Sequence, residues 1–265
     1  MDLVHPLDGL DARAWSSLSH AYGSAEDVPD LLRALAGADS DEADEALSEL
    51  YGNVLHQGTV YAASAEAVPF LAGIAVAGHR TADLLALLGA LAESQDEWGV
   101  ATGAVRAAVA GQLPSLLPLL ASPDPEVRRT AAWTVSHTRA ATLALPALRT
   151  RWDEEPEPAV RAEILTGIAR LDPEDGAVLA ASVLEPSHPA GVRLAAVFAG
   201  LDAGVPSLFF GGDPRLQAGR ESDPELCGAK RHSIVPECFV GGPCSVRPLL
   251  VLDVVLDHME RRSTA

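Results

Sequence analysis

Apolar residues recur every three or four positions along most of the first 205 residues, which is the spacing of amphipathic helices. No stretch alternates apolar and polar residues for long enough to predict a sheet. Residues 11 to 203 are therefore expected to be almost entirely helical. The clearest apolar runs are Val127, Ala131 and Val135; Val160, Ile164 and Ile168; and Val192, Ala195, Ala196 and Ala199.

A short motif, aliphatic–proline–any residue–leucine, returns along this helical region. Its prolines are expected to occupy equivalent places in successive repeats. A unit of two helices, roughly 30 to 45 residues long, cannot bury its apolar stripe alone, so such units must stack on one another. The prolines of the motif are Pro29, Pro69, Pro114, Pro146 and Pro206.

A second motif, Val-Arg at the start of an apolar helical pattern, ends at Arg128, Arg161 and Arg193. The stretch LLPLLASPDPEVRRTAAWTV resembles a HEAT repeat, and AVRAEILTGIARL and GVRLAAVFAGL resemble its second helix. This resemblance covers roughly residues 25–205. The stretch ELYGNVLHQGTVYAASAEAVPFL further resembles a segment of PBS-lyase HEAT-like proteins, in a bacterial subfamily of unassigned function.

These patterns predict an all-α fold, a right-handed α-solenoid of about five to six HEAT-like helix pairs. We expect the repeats to occupy residues 1–210. Gly, Pro and polar residues dominate 211–248, which is expected to be an irregular or disordered segment. An amphipathic pattern then predicts a C-terminal helix over 249–265.

The segment 211–248 also holds all three cysteines and the single lysine of the chain. Besides disorder, it admits two other interpretations, a divergent terminus or a zinc module. The spacing of the zinc candidates lacks the Cys-x2-Cys pair of common zinc sites, so neither a metal nor a cofactor is predicted. The candidate ligands are Cys227, His232, Cys238 and Cys244.

The formal net charge is −18, from 37 acidic and 19 basic residues. Nucleic acids and anionic membranes attract basic proteins, so neither is an expected partner. A basic protein or peptide fits this charge, although the charge alone also serves solubility. The chain has no apolar run of about 18 residues and starts with no basic signal-peptide region, so a cytoplasmic monomer is expected.

The polar stretch His56-Gln57-Gly58 lies between two apolar helical runs. One interpretation is a helix end, with Gly58 just past the last turn in a left-handed conformation and His56 near the helix C-terminus. The alternative is a small polar site formed by His56, Gln57 and Tyr61, with Tyr51 and Asn53 nearby. No nucleophile or carboxylate pair stands beside them in sequence, so no catalytic residue is predicted.

Aromatic and acidic residues on the second helices of the repeats are candidates for partner binding, because these helices line the concave surface of a solenoid. Trp98 is expected on the second helix of one repeat, and Trp133 with His137 one turn apart on the next. Such aromatics pack in cores more often than they bind partners, and the acidic stretch 41–50 is expected to be a solvated face. The candidate set is Trp98, Glu97, Trp133, His137 and Glu163.

The HEAT resemblance implies a structural role for Arg128, Arg161 and Arg193. In such arrays the arginine after the valine stacks with acidic groups of the neighbouring repeat, and a buried charge of this kind needs a partner.

Two classes of function follow. The first is a non-enzymatic scaffold, an acidic adaptor or inhibitor that binds a basic protein or peptide on its concave face. The second is an enzyme, lyase-like or other, or a small-molecule binder with its site around His56. The His-Glu pairs of helical-repeat hydroxylases and the common nucleotide-binding motifs are absent from the sequence, which favours the scaffold.

Overall fold

The computed structural model describes residues 5–202. The chain divides into two compact units, Met1–Phe209 and Phe210–Ala265, and the described residues belong to the first. The predicted segments 211–248 and 249–265, and the candidate zinc ligands, lie outside the described residues and stay predictions.

Helices account for most of the described chain, but loops, turns and short strands also occur, so it is not almost entirely helical as the apolar spacing predicts. Short 3₁₀ segments occur at Leu10–Ala12, Trp15–Ser17 and Leu117–Ala121. The α-helices are α1 (Val28–Leu35), α2 (Ser40–Val54), α3 (Ala62–Val76), α4 (Thr81–Glu93), α5 (Ala104–Gly111), α6 (Leu113–Leu116), α7 (Pro125–His137), α8 (Ala141–Glu154), α9 (Pro158–Leu171), α10 (Pro173–Ser182) and α11 (Ala190–Asp202).

Consecutive helices pack as five pairs within residues 5–202. The pairs are α1 with α2, α3 with α4, α6 and the 3₁₀ segment Leu117–Ala121 with α7, α8 with α9, and α10 with α11, while α5 packs on α3 and α4. The second helices α4, α7, α9 and α11 also pack side by side in series. The prediction of an all-α solenoid of about five to six helix pairs is therefore confirmed.

Leucine-rich helix faces build a continuous core through this stack. On α4, for example, Leu84, Leu87 and Leu88 are fully buried. Each buried leucine contributes about 1.5–3 kcal/mol relative to an exposed one. At the N-terminal end Trp15 packs against Phe70 of α3, with ring centroids 6.0 Å apart, so the residues before α1 cover the first repeats.

Helix starts are fixed by side-chain caps and prolines. Asp39 accepts hydrogen bonds from the backbone N–H groups of Asp41 and Glu42 at the start of α2. Asp124 accepts one from Glu126 at the start of α7, where Pro125 is the first helical residue. These caps satisfy N–H groups that have no partner inside the helix.

The repeat prolines do not occupy equivalent places, so that prediction is wrong. Pro29 lies in the first turn of α1, whereas Pro69 and Pro146 lie inside α3 and α8. Pro114 follows the break between Ala104–Gly111 and Leu113–Ala121, which are bent by 46°.

By length and composition the bent pair Ala104–Gly111 and Leu113–Ala121 could form a broken membrane span, whereas no single helix in residues 5–202 is long and apolar enough to span a membrane.

Five short strands interrupt the helices of residues 5–202, which the sequence pattern did not predict. β1 (Ser19–His20) and β2 (Gly23–Ser24) form an antiparallel hairpin. β3 (Leu55–His56) pairs antiparallel with β4 (Thr59–Tyr61), and β5 (Asp96–Trp98) adds to β4 in parallel. Strands of two or three residues are too short for a visible alternation of apolar and polar positions.

His56-Gln57-Gly58 belongs to a hairpin and not to a helix end. Helix α2 ends at Val54, and His56 of β3 pairs with Thr59 of β4. Gln57 and Gly58 form the two-residue turn, with φ of 51° and 87°. Two successive positive φ angles are the signature of a type I′ turn, whose twist matches that of the strands. The expected left-handed Gly58 is present, but it closes a hairpin.

Replacing Gly58 with alanine is expected to lower the free energy of unfolding by about 1–2 kcal/mol, because an L side chain is strained in the left-handed region. Gln57→Asn is expected to raise stability slightly, since asparagine tolerates that region better than glutamine. Urea denaturation of both variants checks this. Changes of opposite sign in the free energy of unfolding of the two variants support the turn assignment, whereas equal losses of stability contradict it.

Candidate functional site

The three-stranded sheet brings together residues that the sequence analysis assigned to two different sites. Its register pairs His56 with Thr59, Thr59 with Asp96, and Tyr61 with Trp98. Paired residues project from the same side of a sheet, and so do alternate residues along a strand. These five residues therefore share one side, which we call the sheet face.

The opposite side of the sheet faces the protein. Val60 is buried there, and its pair Glu97 accepts a hydrogen bond from the N–H of Gly103 at 2.7 Å. Glu97, predicted as a partner-binding residue, thus holds the start of α5. The prediction that Trp98 lies on a second helix is wrong, because Asp96–Trp98 forms a strand after α4 has ended.

Two aromatic side chains stand out into solvent at this surface. Trp98 is 70% exposed and Tyr22, in the turn of the β1–β2 hairpin, is 69% exposed. The Tyr22 ring lies edge-on to the His56 ring with centroids 5.3 Å apart, and its hydroxyl is 3.3 Å from His56 Nδ1. Tyr22 therefore extends the sheet face, and His56 contacts a side chain instead of a helix carbonyl.

A polar network holds Tyr22 in place. His20 Nδ1 accepts a hydrogen bond from the N–H of Tyr22 at 3.0 Å, which leaves Nε2 as the ring nitrogen that can donate. That Nε2 lies 2.9 Å from Asp27 Oδ1, and Asp27 Oδ2 accepts from the amide of Asn53. The backbone carbonyl of Asn53 in turn accepts a hydrogen bond from the N–H of Ala21.

Sequence reasoning missed His20, Tyr22 and Asp27. The available signal is the stretch SHAYGS, where Gly23 marks a tight turn after a short polar run. It does not reveal that Asn53, 26 residues after Asp27, completes the network.

Hydrogen bonds also fix the polar groups of β4 and β5. Thr59 Oγ1 donates to Asp96 Oδ2 at 2.6 Å. Ser94 Oγ donates to the Gly58 carbonyl at 2.6 Å and accepts the N–H of Asp96 at 3.3 Å. Gln57 lies exposed at the hairpin turn. The sheet face is therefore a pre-ordered surface.

Of the predicted polar site, His56 and Tyr61 lie on the sheet face and Gln57 lies in the adjoining turn. Tyr61 is almost fully buried at the start of α3. Burial, with a smaller effect from the Asp83 carboxylate, raises the pKa of Tyr51 to about 12, so its phenol stays neutral. The hydroxyl of Thr59 and Nδ1 of His56 are already engaged by neighbours, so the surface is built for contact more than for proton transfer.

The other predicted binding residues meet between α4, α7 and α9. Trp133 packs so closely on Gly89 that a Cβ atom there would lie 2.1 Å from the ring. His137 is 6% exposed, and its ring centroid is 4.5 Å from that of Trp133. Its Nδ1 donates to the Trp133 carbonyl, and Nε2 lies 3.5 Å from Glu93. Both side chains thus contribute to helix packing.

Glu163 on α9 faces the same region. Burial raises the pKa of its carboxyl, although the charges of Arg170, Arg129 and His137 act in the opposite direction. A carboxylate that is disfavoured by burial is a poor steering charge. Its role in partner binding stays a prediction, as do those of Trp133 and His137.

The three Val-Arg arginines share one contact, the carbonyl groups that precede their helix. Arg128 bonds the carbonyls of Ser122 and Pro123 and also forms two 2.8 Å hydrogen bonds with Glu155 of the next repeat. Arg161 bonds two carbonyls and lies 4.0 Å over the Trp152 ring. Arg193 bonds the Leu184 carbonyl. The implied acidic partner is thus present at Arg128.

A fourth arginine of this kind was not singled out from the sequence. Val105-Arg106 opens α5, and Arg106 donates to the carbonyls of Ala92 and Ser94 at the end of α4. The motif was visible in the sequence AVRAAV. The motif therefore occurs on α5 as well as on the second helices α7, α9 and α11.

Stacked helix pairs, with arginines that bond the carbonyl groups preceding their own helix, define an α-helical repeat protein. Residues 113–199 match the family model for HEAT repeats. This part of the chain is thus similar to HEAT repeats, which generally serve as scaffolds for protein interactions. Comparisons with curated proteins and with solved structures found no match.

Proposed function

We propose that this protein is a non-enzymatic scaffold, an acidic adaptor or inhibitor whose sheet face and helix α2 bind a basic protein or peptide. The observation that carries the proposal is the pair of exposed aromatics, Tyr22 and Trp98, on a hydrogen-bonded surface beside an acidic helix. Tyrosine and tryptophan are the side chains most enriched at the energetic centres of protein interfaces.

Helix α2 supplies the negative charge. It contains five carboxylates, all exposed, and no lysine or arginine. Within residues 5–202, Arg80 is the one cation paired with them, through Asp44. The carboxylates are Asp41, Glu42, Asp44, Glu45 and Glu49.

The acidic helix leads directly to the aromatic surface. Glu45, Glu49 and Gly52 are spaced by four and three residues, so they lie along one face of α2. A methyl group at Gly52 would lie 3.9 Å from Cε2 of Tyr22. A basic segment lying along α2 therefore reaches Tyr22 and then the sheet face. The acidic stretch serves here as more than a solvated face.

The earlier candidates contribute unequally to this proposal. Trp98 is exposed and suits an anchor, whereas Trp133 packs against Gly89 and its removal would disturb folding. The alternative function, an enzyme or small-molecule binder around His56, has less support. The polar groups nearest to His56 are held by one another, and Tyr51 is kept protonated.

Charge removal on α2 tests the proposal. A fluorescein-labelled nona-arginine peptide is expected to bind, and Glu45→Gln/Glu49→Gln is expected to weaken binding about threefold at low salt, since exposed charge pairs contribute roughly 0.5–1 kcal/mol. The loss should appear mainly in the association rate and fade near 1 M salt, where the Debye length is about 3 Å. Stopped-flow anisotropy at two salt concentrations measures both.

The matched control is Glu174→Gln/Glu185→Gln, which removes the same charge from exposed positions on and after α10. If both double variants lose binding equally, the peptide responds to net charge and the site on α2 is wrong. If wild type binds the labelled peptide no better than a polyglutamate peptide, the proposed function itself is wrong.

A further inference from the structure

We propose that Trp98 and Asp96 form a subsite for one cationic side chain, an arginine or lysine of the bound polypeptide. This inference rests on the proposed function and names the group that the sheet face recognises. An exposed indole and a carboxylate stand side by side on one strand, and each has a known affinity for a guanidinium or ammonium group.

The spacing of the two residues suits a single cation. Asp96 and Trp98 are alternate residues of β5, so their side chains leave the same side of the strand about 6.6–7 Å apart. A cation binds an indole ring within about 6 Å of its centroid. One guanidinium over the ring is therefore also within reach of the carboxylate.

The carboxylate is already oriented for this contact. Thr59 Oγ1 holds Asp96 Oδ2 at 2.6 Å, and Ser94 fixes the Asp96 backbone from the other side. Among residues 5–202, Asp96 Oδ1 has no hydrogen-bond partner, so it is the free acceptor of this carboxylate. A group that is held before binding loses less conformational freedom when the ligand arrives.

No internal cation occupies this position in the described part of the chain. The arginine closest along the chain, Arg106, donates through Nε and Nη2 to the carbonyls of Ala92 and Ser94. Among residues 5–202 no arginine or histidine lies within 4.0 Å of the Asp96 carboxylate. The Trp98 ring and the Asp96 carboxylate are both left to solvent.

Arginine should be preferred to lysine. A guanidinium group is planar, so it stacks on an indole while its N–H groups reach a carboxylate, whereas an ammonium group acts as a point charge. Wild-type protein is thus expected to bind nona-arginine more tightly than nona-lysine, although the two peptides carry equal charge. The preference should shrink when Trp98 is removed.

The experiment compares these two labelled peptides on wild type, Trp98→Leu, Trp98→Phe and Asp96→Asn. Trp98→Leu is expected to weaken nona-arginine binding about three- to tenfold, and Trp98→Phe less, since cation–π attraction follows the order of the rings. Binding should also change the tryptophan fluorescence with the same midpoint as the anisotropy. That fluorescence change should be absent in Trp98→Phe. Leu143→Ala, at an exposed site on α8, is the control.

The outcomes separate the subsite from the proposed function. If Trp98→Leu keeps the wild-type circular dichroism and binds nona-arginine within twofold of wild type, the subsite is wrong. The proposed function still stands in that case, provided that Glu45→Gln/Glu49→Gln weakens binding. If wild type does not distinguish nona-arginine from nona-lysine, stacking on Trp98 is also wrong. If wild type binds neither peptide, both proposals are wrong.

Discussion

Replacing Glu155 with glutamine is expected to lower the free energy of unfolding by about 3–5 kcal/mol, because it leaves a buried arginine without its counter-charge. Glu155 is 3% exposed and Arg128 is 7% exposed. The two carboxylate oxygens each accept a 2.8 Å hydrogen bond from Arg128, and Arg151 Nε lies 2.9 Å from Oε2. Urea denaturation at pH 7 measures the loss.

The same pair sets a dependence of stability on pH. Burial tends to raise the pKa of Glu155, but hydrogen bonds from Arg128 and the Glu157 N–H, with the charge of Arg151, outweigh it and lower the pKa. A carboxyl whose pKa is lower in the folded state stabilises the fold above its unfolded pKa, about 4.3. That contribution is lost as pH falls through the folded pKa. Wild type should therefore lose its advantage over Glu155→Gln in acid.

Two controls separate burial from charge. Glu126 pairs with Arg129 on the exposed side of α7, so Glu126→Gln should cost under about 1 kcal/mol. The double variant Arg128→Met/Glu155→Leu should recover much of the loss, since it removes both buried charges. A Glu155→Gln loss no larger than that of Glu126→Gln would contradict the assignment.

Gly89→Ala is expected to destabilise the protein by about 1–3 kcal/mol through overpacking. Its new Cβ atom would lie 2.1 Å from Cζ3 and 2.4 Å from Cε3 of Trp133. The indole cannot easily move away, because His137 packs against it and α4 and α7 are in contact along their length. Thermal and urea denaturation measure the effect.

Gly111→Ala is the matched control, because nothing lies within 4 Å of a Cβ atom at that helical position. Alanine favours a helix over glycine by about 1 kcal/mol, so this variant should be as stable as wild type or more so. A Trp133→Leu background should remove most of the cost of Gly89→Ala. An unchanged cost in that background would show that the strain lies elsewhere.

Helical periodicity predicted the second half of the fold well, and the reasons are local. The runs around Val127, Val160 and Val192 became α7, α9 and α11, each with its arginine bound to the preceding carbonyls. The prolines were a weaker guide, because a proline is tolerated both in a first turn and at a kink, and packing decides which. Pro29 and Pro146 illustrate the two outcomes.

The candidate surface was predictable only in pieces. His56, Tyr61 and Trp98 were singled out for their residue types, but their grouping on one sheet depends on pairing between positions 59 and 96. No local pattern encodes a parallel contact across two helices. Tyr22 was missed for a related reason, since its exposure follows from hydrogen bonds between His20, Asp27 and Asn53.

The parallel pairing of β4 with β5 has a mechanical consequence. In a repeat array each unit contacts only its neighbours, mostly through side chains. Here the three-stranded sheet connects the end of α2, the start of α3 and the link after α4. Separation of the first two helix pairs is therefore opposed both by backbone hydrogen bonds and by packing. The first two helix pairs are thus joined by backbone hydrogen bonds as well as by packing, whereas the later pairs of the described stack rely on packing and on the arginine contacts. A force applied by a partner bound at these strands is therefore shared by the end of α2, the start of α3 and the link after α4.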